Sequence, residues 1–346
     1  MGKLKKISAL FIAIVISLSM TSCSLASWSF KTSDDTLSAG TYIMYMSRAY
    51  STASTKVENS STDVLKQTID GQKASDYIKD EAKASCEKLL GLEKKFTELN
   101  LSLTDEETEQ ATQSTEQIWS YYGKSYEKLG ISKDSFHRAY TLYNLKYEKV
   151  FDAIYGTDGT TPVSDEELKN YFCENFVSGS YITKSASVTD DTSTDVSEET
   201  ENIKNHFESY AQSINHSEKS FKDAVTQYMS DFSVETDPTV SKFVNPNSEY
   251  ADSSFPDESI LESLKNLEIN KAESIQTDNS AFYLVYKENP EDKYSTLSDD
   301  EKKTVLLDMK SDEFDNMLKE TAESNNLKTN YIVIMKYQPS MFNKSK

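Results

Sequence analysis

The residues that could do chemistry in this chain are few, and they lack the spacing of the common catalytic and metal-binding motifs. The three histidines, His137, His206 and His216, have no cysteine or carboxylate at metal-ligand spacing. The chain contains no His-Glu-x-x-His, Gly-x-Ser-x-Gly or Cys-x-x-Cys motif. A Gly-Lys-Ser triplet at 123–125 resembles the end of a phosphate-binding loop, but it lies within a helical pattern and lacks the first glycine. We therefore predict neither a metal nor a cofactor.

One cysteine near the start of the chain has the context for acylation. Three lysines precede an apolar run at 7–18, which is too short to span a bilayer and is typical of a secretory signal peptide. The segment Met20–Cys23 resembles the bacterial lipobox, whose cysteine receives a diacylglycerol. Lasting attachment needs at least two acyl chains, which such a cysteine carries. We predict that 1–22 is a cleaved signal peptide and that Cys23 is lipidated; ordinary cleavage with an incidental cysteine is the alternative.

Acylation at this position predicts a mature protein that is extracytoplasmic and lipid-anchored to the bacterial cell membrane. The chain has 57 acidic and 37 basic residues, a formal net charge of −20, and cleavage would remove further lysines. This sign argues against binding nucleic acid or anionic lipid, since both need basic patches. Beyond the signal peptide, no stretch approaches 18 consecutive apolar residues.

The two remaining cysteines, Cys86 and Cys173, both lie in helical patterns. A disulfide between them is possible in an oxidising compartment. Two small buried side chains are the more common outcome, and we favour it.

Helical periodicity dominates the elements that must position any site. Three Ser/Thr-x-x-Glu capping boxes, beginning at Thr104, Ser164 and Ser298, mark the starts of helices. The segments Gly179–Thr183 and Ala281–Tyr286 have the character of strands. We therefore predict a mainly helical α+β protein.

The order of these elements divides the chain. After the signal peptide, we predict an N-terminal helical domain over 23–176 and a small α+β domain over 177–292. The remainder, 293–346, is predicted to form a C-terminal helix and a strand at Tyr331–Met335, and to pack back on the N-terminal part.

This order resembles that of the PrsA-type foldase lipoproteins and the SurA-type extracytoplasmic chaperones. The likeness covers nearly the whole mature chain, and its most specific stretches are Val163–Phe176 and Leu99–Glu107. The resemblance implies a helical chaperone lobe formed by the N- and C-terminal segments, with an inserted parvulin-like prolyl isomerase domain. It also implies unfolded or partly folded exported polypeptides as partners.

The landmarks of a parvulin domain are partly present in the insert. Phe221–Tyr228 resembles the parvulin helix "F-x-x-L-A-x-x-Y/F-S", and Leu264–Ile269 resembles the start of its last segment. The first-strand motif falls on Ser180–Thr183, so Tyr181 and Tyr283 stand where the family's site has histidines. Tyrosine, with a pKa around 10, cannot reproduce the paired imidazoles. The resemblance therefore implies a degenerate site without assigned catalytic residues.

The sequence thus favours binding over catalysis. Aromatic side chains are abundant, and Phe243 and Phe255 in the insert are candidate peptide-binding residues. We predict a membrane-anchored extracytoplasmic chaperone and leave prolyl isomerase activity open. One alternative is an active peptidyl-prolyl cis-trans isomerase that uses Tyr181 and Tyr283 in altered roles. The other is a surface lipoprotein for a solute or wall component, with a closed pocket and convergent polar groups.

Overall fold

The computed structural model describes residues 28–59, 62–186, 193–248, 251–277 and 281–343. The predicted signal peptide 1–22 and the predicted lipidation site Cys23 lie outside the described residues. The fold is α+β and mainly helical, as predicted. Within these ranges, no helix has both the length and the apolar character needed to cross a bilayer.

The chain forms two units. The helical unit consists of residues up to Pro162 together with those from Lys310 onward, and the α+β unit runs from Val163 to Met309. The first segment of the helical unit contains β1 (Trp28–Lys31), β2 (Thr36–Ser38), α1 (Ala39–Lys56), β3 (Thr68–Ile69), β4 (Gln72–Lys73), α2 (Ala74–Glu98), α3 (Asp105–Lys128), α4 (Lys133–Phe136) and α5 (Tyr143–Tyr155). Fully buried apolar side chains from these helices, among them Tyr42, Ile78 and Phe136, form its core.

The α+β unit alternates helices with the strands of one sheet. Its elements are α6 (Asp165–Asn175), β5 (Val177–Ser185), α7 (Ser193–Asn215), α8 (Phe221–Asp231), β6 (Val240–Val244), α9 (Glu258–Asn266), β7 (Ala272–Gln276), β8 (Ala281–Lys287), α10 (Pro290–Ser295) and α11 (Asp299–Ser324), which continues beyond Met309 into the helical unit.

The four strands of this unit form an antiparallel sheet in the order β6-β5-β8-β7. Successive side chains of a strand point to opposite faces. On one face Phe282 and Leu284 of β8 pack with α7 and α8. On the other face Tyr283 and Val285 pack with α9. The sheet therefore has two separate apolar layers.

The end of the chain returns to the start of the helical unit. β9 (Lys328–Thr329) pairs antiparallel with β1, with Phe30 opposite Thr329. The strand predicted at Tyr331–Met335 is wrong, because this segment is the helix α12 (Tyr331–Lys336). A short apolar run fits either structure by length. Asn330 stabilises the helix as its N-cap, because its side chain accepts a hydrogen bond from the backbone N of Ile332.

The predicted capping boxes are confirmed at all three helix starts. The backbone N of Thr104 donates to Glu107 Oε2 at 2.7 Å, and the N of Glu107 donates back to Thr104 Oγ1. Ser164 and Ser298 begin α6 and α11 in the same way. These side chains satisfy backbone donors that have no partner within the helix.

The α+β unit includes more of the chain than the domain bounds predicted from the sequence. Residues up to 176 were expected in the helical domain and residues from 293 in the C-terminal part, whereas α6, α10 and the start of α11 cluster with the sheet. The reason is a shared apolar cluster, in which Phe172 of α6 packs with Tyr294 and Val305. The roles given to the predicted domains stay a prediction.

Cys86 and Cys173 are free thiols. Cys86 is buried in the core of the helical unit, and Cys173 is partly buried in the α+β unit. Burial raises the pKa of both thiols above the ordinary value. Both side chains therefore pack as small apolar groups.

Helix α2 passes so close to the last part of α11 that one position has no room for a side chain. A Cβ added at Gly91 would lie 1.9 Å from the backbone oxygen of Leu318. The contact joins the two sequence segments of the helical unit.

We expect Gly91→Ala to lower the free energy of unfolding by about 1–3 kcal/mol, because the added methyl must push two helix backbones apart. This loss outweighs the gain of about 1 kcal/mol in helix propensity. In the matched control Gly123→Ala, the three atoms nearest to the new methyl all belong to the side chain of Trp119, so a side chain rather than a helix backbone has to move and the loss should be smaller. Thermal unfolding followed by far-UV circular dichroism measures both. Equal losses would contradict the close helix contact.

Candidate functional site

Two neighbouring strands bring Tyr181 and Tyr283 together. β5 and β8 pair antiparallel, with Tyr181 opposite Val285 and Thr183 opposite Tyr283. The two tyrosines are therefore diagonal neighbours on one face of the sheet. Their ring centroids are 5.9 Å apart and their planes cross at 63°, an edge-to-face contact. We call these two residues the tyrosine pair.

The tyrosine pair lies in the layer between the sheet and α9. The ring of Phe255 is 6.3 Å from that of Tyr181, and Ile260 and Leu264 of α9 complete the apolar surroundings. Both tyrosines are nearly fully buried. The sequence folds this way locally because β5 and β8 each place an aromatic residue on the same face of the pleat.

The hydroxyl group of Tyr181 is held in its protonated form by its surroundings. Burial, and to a lesser extent the neighbouring Tyr283, raises the pKa of Tyr181 above its ordinary value. Neither hydroxyl has a hydrogen-bond partner among the residues that the structure describes. Tyr181 therefore does not ionise near neutral pH, and its hydroxyl can donate a hydrogen bond.

The histidines lie elsewhere. His206 packs its ring 5.2 Å from that of Phe232, and its Nδ1 is 3.2 Å from Asp231 Oδ2, on the α7 and α8 face of the sheet. His137 is in the helical unit, where its Nδ1 is 2.8 Å from Thr115 Oγ1. Over the described ranges, no group of three or more His, Cys, Asp and Glu residues could hold a metal ion.

The two predicted peptide-binding phenylalanines are in different clusters. The ring of Phe243 lies 5.4 Å from Phe172 and 5.7 Å from Phe176, beside α6. Phe255 is buried next to Tyr181. The structure does not bring Phe243 and Phe255 together, and their role in peptide binding stays a prediction.

An exposed aromatic surface on α3 was missed by the sequence analysis. Tyr121 is 77% exposed and Tyr122 is 58% exposed, with their ring centroids 6.4 Å apart. Tyr122 also contacts Tyr126, whose ring stacks on Phe136 of the core. Adjacent helix residues point about 100° apart, so two neighbouring tyrosines cannot both face the core. That spacing was the signal in the sequence.

A polar cleft of about 510 Å³ opens in the helical unit. Its charged side chains are paired with each other: Lys94 Nζ is 2.8 Å from Asp34 Oδ2, and Lys146 Nζ is 2.5 Å from Glu93 Oε2. A small-molecule site instead aims a few polar groups at its ligand. The cleft therefore gives little support to the solute-binding alternative.

The structure is similar to two solved proteins. One is the crystal structure of foldase protein PrsA from Streptococcus pneumoniae str. Canada MDR_19A, at 15% identity, with 73% of this chain and 86% of that chain covered and a TM-score of 0.35. The other is PrsA from Bacillus subtilis, at 16% identity, covering 84% of this chain and 99% of that chain, with a TM-score of 0.30. No protein-family model and no curated protein matches the chain. At this level of similarity, fold and function rest on the chain's own residues.

We expect Tyr181→Phe to leave the free energy of unfolding nearly unchanged, because the ring keeps its contacts and the lost hydroxyl has no partner among the described residues. The matched variant Tyr228→Phe removes a hydroxyl of the same unit that donates to the backbone oxygen of Thr183 at 3.0 Å. It should cost about 1 kcal/mol. Chemical denaturation measures both, and a larger cost for Tyr181→Phe would reveal an unrecognised partner of its hydroxyl.

Proposed function

We propose that the chain is an extracytoplasmic chaperone of the foldase type. It is anchored to the membrane by acylated Cys23 and binds unfolded or partly folded exported polypeptides. Its α+β unit is a parvulin-like domain whose site is degenerate, so the main activity is holding polypeptides rather than isomerising proline bonds.

The observation that carries this proposal is the edge contact of the tyrosine pair. The resemblance to parvulins implies two side chains next to each other on the first and last strands of the insert. Tyr181 and Tyr283 have that relation, with ring centroids 5.9 Å apart on β5 and β8. Two residues about one hundred positions apart would rarely be neighbours if the resemblance were accidental.

The chemistry of the pair favours binding over turnover. Rotation about a peptide bond has a barrier near 18–20 kcal/mol. A catalyst lowers this barrier only if it binds the twisted state of the bond more strongly than the planar state. The two phenol hydroxyls, which belong to nearly fully buried side chains, can donate hydrogen bonds, but they lack the tautomeric network of paired imidazoles. Within the α+β unit, His206 cannot supply an imidazole to the pair, since it lies on the opposite face of the sheet.

The exposed aromatics of α3 offer a surface for unfolded polypeptides. Tyr121 and Tyr122 present flat apolar rings with hydroxyl groups at their tips. Tyrosine loses little conformational entropy on binding and can contact many different sequences. The net charge of −20 keeps the protein soluble while such rings stay exposed. Phe243 and Phe255 remain further candidates in the α+β unit.

The proposed chaperone activity predicts that the mature chain, with Cys23→Ser to remove the acylation site, suppresses the aggregation of a chemically unfolded test protein at near-stoichiometric ratios. The double variant Tyr121→Ser and Tyr122→Ser should suppress it less, because the exposed apolar rings are lost. Light scattering after dilution from denaturant gives the measurement.

The matched control for this experiment is Tyr331→Ser, which removes a tyrosine that is 73% exposed on a different helix. It should keep full activity. Absence of suppression by the unsubstituted chain with several test proteins would defeat the chaperone proposal.

A refolding assay limited by proline isomerisation tests the degenerate site. We expect catalytic amounts of the chain to leave the rate of the slow refolding phase unchanged, since the tyrosine pair does not lower the rotation barrier. Should the rate rise, and the acceleration vanish in Tyr181→Phe or Tyr283→Phe but persist in Tyr228→Phe, the chain is an active isomerase instead.

A further inference from the structure

Helix α12 presents an apolar surface to solvent. Tyr331, Ile332 and Met335 are 73%, 74% and 77% exposed. Their spacing of three and four residues places them on one side of the helix. Val333 on the other side is buried and fixes α12 to the helical unit. We call the three exposed residues the α12 patch. Large exposed apolar patches mark interaction sites, and three neighbouring exposed apolar side chains make this face a candidate for one.

The α12 patch lies beside the first described residue of the chain. The backbone N of Asn330 donates to the oxygen of Ser29 at 2.8 Å, and Asn330 Nδ2 donates to the oxygen of Trp28 at 2.9 Å. The ammonium group of Lys31 lies over the ring of Trp28, with Nζ 4.7 Å from the ring centroid. Tryptophan, tyrosine and lysine are the side chains that favour the interface between membrane and water.

The predicted lipidation site is a short distance along the chain from this point. Cys23 precedes Trp28 by five residues, which span at most about 18 Å when fully extended. A compact unit of the size of the helical unit is about 40 Å across. If Cys23 is acylated, the part of the helical unit that carries Trp28 and α12 must therefore stay close to the bilayer.

The C-terminal segment that contains the patch differs in charge from the rest of the chain. Residues 325–346 contain no Asp or Glu and four lysines, in a chain whose net charge is −20. The overall charge repels anionic lipid, whereas lysines next to an apolar face are attracted by anionic headgroups. In space, however, Asp80, Glu87 and Glu323 line a pocket together with Tyr331, so the lysines of this segment offset nearby carboxylates, and docking depends on the apolar side chains and the tether.

We propose that the α12 patch docks on the bilayer that holds the acylated Cys23, so that Tyr331, Ile332 and Met335 enter the headgroup region. The protein then has two membrane contacts, one covalent lipid and one apolar helix face, which together fix its orientation on the membrane. This inference rests on the acylation that belongs to the proposed function.

The experiment uses the full chain, acylated in a bacterial host and reconstituted into vesicles of phosphatidylcholine and phosphatidylglycerol. In a Cys173→Ser background, Met335→Cys is labelled with a polarity-sensitive dye, while buried Cys86 stays unreactive. Tyr121→Cys, at the same 77% exposure, is the matched control. We expect a blue shift and quenching by brominated acyl chains at position 335, and neither at position 121. Adding Ile332→Ser should reduce both signals at 335 while the protein still floats with the vesicles.

Four other outcomes would overturn the inference. Flotation without a signal at position 335 rejects docking and leaves the anchor intact. If mass spectrometry finds Cys23 unacylated, there is no tether, and both the docking and the proposed anchoring are rejected. The chaperone activity is then still tested separately by the aggregation assay. A signal that grows with protein concentration without vesicles identifies a second copy as the occupant. A signal that appears only with an unfolded polypeptide identifies the patch as a chaperone surface.

Discussion

Side chains alternate between the two faces of a strand, and in β5 and β8 this alternation separates the tyrosine pair from the apolar layer on the other face. A register shift of one residue would exchange the two layers. The register is held by the helices on both sides. At Gly179 an added Cβ would lie 2.3 Å from Leu264 Cδ2 and 2.8 Å from the oxygen of Tyr286, so α9 approaches the backbone of the sheet directly. Tyr181, two residues further along β5, lies on the same face of the sheet as that contact.

The same chain has to join two distant segments to form the helical unit. β1 pairs with β9, and Gly91 packs on Leu318, so residues before Pro162 meet residues after Lys310. Closing a long flexible loop costs entropy. The folded α+β unit reduces that cost, because Asp165 near its start accepts from Lys302 at 2.7 Å and Tyr171 donates to Asp308 at 2.8 Å near its end. The insert therefore holds its own two ends together.

Local patterns in the sequence predicted those parts of the fold that depend on neighbouring residues. The capping boxes and the strand character of Ala281–Tyr286 are of this kind. The two tyrosines were singled out by the resemblance to parvulins and not by a local pattern, and the pairing of their strands is seen only in the structure. The segment Tyr331–Met335 could not be assigned in this way, because its helix depends on Asn330 as a cap and on a hydrogen bond to Trp28 far away in the sequence.

Placement in three dimensions was harder to predict than secondary structure. α6 has an ordinary amphipathic pattern, which shows that one face is buried but not which partner covers it. The partners of Phe172 are Tyr294 and Val305, which lie more than one hundred residues later. For the same reason, the sequence grouped Phe243 with Phe255, whereas the fold divides them between two clusters.

The proposed parvulin-like site has phenols where the resemblance implies imidazoles, and this difference bears on what the proposed site could do. A group accelerates isomerisation only if it binds the twisted amide more strongly than the planar one. In the proposed site, hydrogen bonds from Tyr181 and Tyr283 to a carbonyl oxygen would serve both forms equally, so they would increase affinity for a peptide without lowering the barrier between its isomers. A site with this chemistry retains a polypeptide through contacts that do not depend on proline geometry. Such retention suits a chaperone, whose partners differ in sequence but share exposed backbone and apolar side chains.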